Sequence, residues 1–112
     1  MIDAENIGEI IALYEKHGWV LRRVLLSAAL KARVGSGILQ FVDGVQVMDA
    51  AIDAAWFSRP PKPGGVAWEI RHLSETPYAL VENIDEFSPE FEAALRSVET
   101  RLRETTRKVK SA

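Results

Sequence analysis

The chain has no cysteine and only two histidines, His17 and His72. Disulfides and thiolate metal sites are therefore excluded, and a histidine-based zinc site has too few ligands. The expectation is no cofactor and no resident metal. Missing thiols also fit a reducing compartment. No stretch approaches the ~20 consecutive apolar residues of a membrane span. The opening "MIDAENIGEI" carries acids where a secretory signal carries bases. A cytoplasmic protein with no membrane partner is expected. An excess of one charge is missing too: 14 Lys and Arg stand against 16 Asp and Glu, with a pI near 5.7. Nucleic-acid-binding domains are usually strongly basic, so nucleic acid is not an expected partner. Catalytic signatures are scarce. No serine sits in a nucleophile-elbow context, and "GSG" at 35–37 lacks the lysine and following helix of a phosphate loop. These absences point away from an enzyme, and no catalytic residue is assigned.

The 112 residues present are 47% apolar and 27% charged, which suits one globular domain spanning 1–112. Residues 3–17 predict an amphipathic helix: Asp3 caps it, Ile7, Ile10, Ile11 and Tyr14 recur at helical spacing, and His17-Gly18 closes it. "WVLRRVLLS" predicts a strand over 19–27. Ser27 then caps a short helix that Gly35 ends. Around Asp43-Gly44 the pattern allows either a hairpin of two short strands or a loop with one strand.

Residues 50–58, 66–73 and 78–84 predict an antiparallel meander. Its first turn is rich in proline and glycine, and its second is "SETP". Ser88, Pro89, Glu90 and Glu92 open a last helix over about 88–108, with Phe91, Leu95, Val98 and Leu102 as its apolar stripe and a frayed tail at 109–112. The expected fold is α+β: a mostly antiparallel sheet of about four strands, packed on one face by the N- and C-terminal helices, with a short helix near 27–34.

"AAWFSRPPKPGGVAWEIRHL" raises the question of function. A hairpin centred near Lys62 sets Trp56 across from Trp68, Ala54 from Ile70 and Ile52 from His72. One face then carries Ile52, Ala54, Trp56, Val66, Trp68 and Ile70, a core face. The opposite face carries Asp53, Ala55, Phe57, Ala67, Glu69, Arg71 and Leu73, with Asp53 across from Arg71 as an ion pair of little weight alone.

Three functions follow. The leading one is a non-enzymatic interaction or regulatory module that self-associates as a homodimer or meets another protein, through a face holding Phe57, Leu73 and Asp53 or through a sheet edge. The second is a small-molecule-binding domain whose cleft uses Trp56, Trp68, Arg71 and His72. The third is a metal-dependent hydrolase built on Asp53 and Glu69. Its pattern resembles metal-dependent nucleases, where carboxylates hold Mg²⁺ and a lysine assists. Arg71 stands at the lysine position here.

Overall fold

Local capping decides where the first helix starts. The computed structural model describes residues 2–40, 42, 44–62, 65–74 and 78–111, with the backbone alone at 39–40, 60–62, 65 and 107–111. Helix α1 spans Ala4–Lys16. The Asp3 carboxylate accepts from the Asn6 N–H at 2.9 Å, and the Asn6 side chain accepts from the Asp3 N–H at 3.1 Å. This reciprocal pair satisfies two backbone donors at once. His17 follows the helix, and Gly18 turns the chain at φ +88°, a conformation that glycine adopts without steric cost.

Strand β1 (Val20–Leu26), helix α2 (Ala28–Val34), a 3-10 turn over Gly35–Gln40 and strand β2 (Gln46–Asp49) come next. Ser27 caps α2, its hydroxyl accepting from the Leu30 N–H at 3.3 Å. β2 lies parallel to β1, with Arg23 beside Gln46 and Leu26 beside Asp49. Parallel neighbours need a crossover, and α2 with the 3-10 turn supplies it. The one-strand reading of this region therefore holds over the hairpin reading. Asp43 itself lies outside the described residues.

Strands β3 (Ala54–Lys62), β4 (Gly65–His72) and β5 (Ala79–Asn83) form the expected meander, within a five-stranded sheet of order β2-β1-β3-β4-β5. Residues 63–64 and 75–77 of its turns lie outside the described residues. β3 begins at Ala54 rather than at 50, because residues 51–52 bend. In the first hairpin Trp56 lies opposite Ile70, Ser58 opposite Trp68 and Ala54 opposite His72. The pairing is offset by two residues from a hairpin centred at Lys62. Lys62 itself pairs with Gly65, so the hairpin is centred beyond Lys62, and a one-residue irregularity between Arg59 and Lys62 leaves the body of the ladder two residues from the expected register. A shift of two preserves every face assignment.

The α+β class and the mostly antiparallel sheet stand. The strands number five, however, and the terminal helices do not share a face. Ala55 and Phe57 join Ile7 and Ile11 of α1 and Leu30 and Val34 of α2 in one core cluster. Ala54, Trp56, Trp68 and Ile70 join Leu95, Val98 and Leu102 in another. Helix α3 (Phe91–Ser111) thus covers the face opposite α1. The cause is β3, whose neighbours Trp56 and Phe57 point to opposite sides and are both wholly buried. Each side therefore needs its own cover.

α3 starts three residues later than expected. Ser88 accepts from the Glu90 N–H through its hydroxyl and from the Phe91 N–H through its carbonyl, both at 3.1 Å. Pro89 lies in that turn and not at the first helical position. The helix then continues to Ser111, past the expected end at 108.

β1 carries one extra residue against β3. Leu21 pairs with Phe57 and Arg23 with Trp56, so Arg22 has no opposite number. Both arginines consequently stand on the α3 face. The Arg22 guanidinium lies over the Trp68 ring at 4.7 Å, and that of Arg23 over Phe91 at 5.6 Å.

Candidate functional site

Trp56 and Trp68 are core residues. Their rings meet edge to face at 6.2 Å, and Trp68 meets Phe91 in the same way at 5.2 Å. Trp56 Nε1 donates to Glu99 Oε2 at 2.8 Å. Burial pushes the Glu99 carboxyl above its ordinary value, and the bond from Trp56 opposes that rise. Among the described residues, Trp68 Nε1 is buried without a hydrogen-bond partner. Arg71 pairs with Ala55 and so belongs to the α1 face. The sheet separates it from both tryptophans, and the expected cleft of Trp56, Trp68 and Arg71 does not form. His72 ends β4, half-buried, opposite Ala54.

The expected interface residues are also occupied within the chain. Phe57 is wholly buried and stacks on Tyr14 with ring centroids 4.1 Å apart, and Leu73 is buried beside it in the same cluster. Asp53 makes no cross-strand pair with Arg71. Its carboxylate accepts from the Ser27 N–H at 2.6 Å and from the Ser27 hydroxyl at 3.2 Å, and so anchors the crossover. Its carbonyl accepts from the Leu73 N–H.

Glu69 stands four residues from Leu73 along β4, roughly 13 Å at the usual strand rise. Its carboxylate accepts from the Tyr14 hydroxyl. Burial, reinforced by that bond, raises the Tyr14 pKa well above the ordinary tyrosine value. Asp53 and Glu69 therefore serve different partners. Among the described residues, no group of three His, Asp or Glu is arranged to hold a metal ion.

A groove does exist on the α1 face, at a place the hairpin reading did not indicate. Asn6, Glu9, Ile10 and Leu13 line one wall at helical spacing, Arg71 lines the other, and Ile2 and Ser74 complete the surround. Its volume is about 440 Å³, within the usual range for small-molecule sites. The Arg71 guanidinium donates to the His72 carbonyl, and among the described residues it makes no ion pair with a carboxylate. Arg71 is the one expected ligand residue that lines this groove. Asn6, Glu9 and Leu13 were missed. The 3-4 spacing of Asn6, Glu9 and Leu13 was visible in the sequence, but it reads equally as the solvent flank of an amphipathic helix.

The sequence places two cations, Arg59 and Lys62, towards the tip of the first hairpin. Arg59 donates to the His17 carbonyl at 2.7 Å and lies over the Trp19 ring, so it is tied to the end of α1. The Lys62 side chain lies outside the described residues.

Fold and site together define an α+β domain whose five-stranded sheet is covered on both faces, with a groove beside α1 and sheet edges at β2 and β5. Comparison with protein-family models, with curated proteins and with solved structures finds no match to this chain.

Proposed function

We propose that this protein is a non-enzymatic interaction module that pairs with a second copy of itself along β5. The observation that carries this reading is the character of that edge. β5 ends the sheet, and Val81 on it is 55% exposed. Its single ionisable residue, Glu82, is already bonded to Arg101 of α3. Edge strands are commonly guarded by lysine, proline or a bulge, and the sequence "ALVEN" holds no lysine or proline. A two-fold axis through Val81 would set Ala79 opposite Asn83 of the second copy and Leu80 opposite Glu82, so no like charges meet. The opposite edge, β2, is shorter, with four residues.

Light scattering over a range of concentrations tests the reading. The expected mass is twice the 12.5 kDa of one chain, and Val81→Lys should return it to one folded chain whose melting temperature no longer rises with protein concentration. A wild-type mass of one chain throughout, or a Val81→Lys protein that remains a dimer, overturns it.

A further inference from the structure

The groove between α1 and β4 combines three features. It has a cation, Arg71, half-buried on a strand, whose guanidinium donates to the His72 carbonyl and, among the described residues, meets no carboxylate in an ion pair. It has an anion, Glu9, on the facing helix, and no ion pair joins the two. Between and beside them lie Ile2, Ile10 and Leu13, of which Leu13 is 55% exposed. A guanidinium presents a planar fork that fits a carboxylate, and a carboxylate accepts from an ammonium. An occupant complementary to all three must carry both charges and an apolar group.

We propose that this groove binds a free α-amino acid with an apolar side chain. Its carboxylate lies on Arg71, its ammonium faces Glu9, and its side chain rests against Ile10 and Leu13. A carboxylate lacking the ammonium would face Glu9 across the groove without compensation, so the site selects the zwitterion. Tyr14, one residue along from Leu13, is locked onto Glu69. That bond gives Glu69 a hydrogen-bond donor of its own. The inference stands apart from pairing at β5, since Val81→Lys leaves every groove residue in place.

The test is a titration with L-leucine, followed by amide chemical shifts. Hexanoate and leucinamide serve as analogues that lack the ammonium and the carboxylate respectively. Leucine should move resonances in α1 and β4 in a saturable way. Each analogue, and each of Arg71→Gln and Glu9→Gln, should bind at least about tenfold more weakly. Glu9 is exposed, so its variant folds whether or not Arg71→Gln does. Absence of saturable shifts at millimolar leucine overturns the proposal. So does hexanoate or leucinamide binding as well as leucine, or Glu9→Gln retaining full affinity.

Discussion

Trp56 and Trp68 share one core and differ in a single hydrogen bond, and that difference is measurable. Trp56→Phe leaves the partly buried Glu99 carboxylate without its donor, whereas Trp68→Phe removes a donor that already lacks a partner. Loss of one partner from a buried pair costs more than removal of an unpaired group. Trp56→Phe should therefore cost about 1–2 kcal/mol more than Trp68→Phe, read by chemical denaturation.

Glu99 itself predicts a pH effect. Its folded pKa is raised, chiefly by burial. The unfolded state therefore ionises first as pH rises, and stability present below the ordinary carboxylate pKa is lost as pH climbs through the raised value. Glu99→Gln keeps an acceptor for Trp56 without the charge. Relative to wild type it should melt higher near neutral pH, with the gap closing towards about pH 4. A gap that is constant with pH would contradict this.

At this scale the sequence was informative about burial and poor about partners. Alternation placed Trp56, Trp68 and Ile70 on one face correctly. Nothing in the local pattern told Glu99 to meet Trp56, because that contact depends on which face α3 covers.

Among the elements, the crossover from β1 to β2 rests on Asp53. This residue comes just before β3, and its carboxylate holds both the backbone and the hydroxyl of Ser27, the cap of α2. Asp53→Ala should destabilise the protein by about 1–2 kcal/mol, measured as a lower denaturation midpoint. Addition of divalent metal should leave that loss unchanged.

Helices with sharp chemical ends were legible: Asp3, Ser27 and Gly35 act as their residue types suggest. The parallel placement of β2 was not legible. A helix between two apolar runs signals a crossover, and the Asp-Gly dipeptide competed with that signal. The sharing of faces was misjudged for a related reason. Phe57 and Leu73 on the supposedly open face already required a cover, and α1, with Ile7, Ile11 and Tyr14, is that cover.

The whole molecule is a sheet with a protected centre and two thin margins. β3 is central, bordered by β1 and β4, while β2 and β5 each have one neighbour. In amide exchange of the single chain, β3 should be slowest and the margins fastest. If two copies pair along β5, its outward amides should slow with rising protein concentration, and Val81→Lys should abolish that slowing. β2 should be indifferent to concentration. The class of fold was legible at this scale because composition, caps and turn chemistry agreed. The groove was not, since it arises where α1 lies beside Arg71 at the end of β4, a property of relative placement that no residue pattern encodes.

The extra residue in β1 has a consequence for how this gene tolerates change. Leu21 and Val24 face the same side although three positions apart, because Arg22 interrupts the alternation. Removing a residue elsewhere in the paired run would turn the remainder of the strand inside out. Removal of Arg22 or of Arg23, which gives the same sequence, restores a regular ladder on either side. The cost is the contacts of Arg22 to Ser58, Glu86 and Trp68. The strand thus has one place where an in-frame codon loss should yield a folded protein, and a deletion scan read by soluble expression should show a single surviving sequence there, reached by loss of either arginine codon.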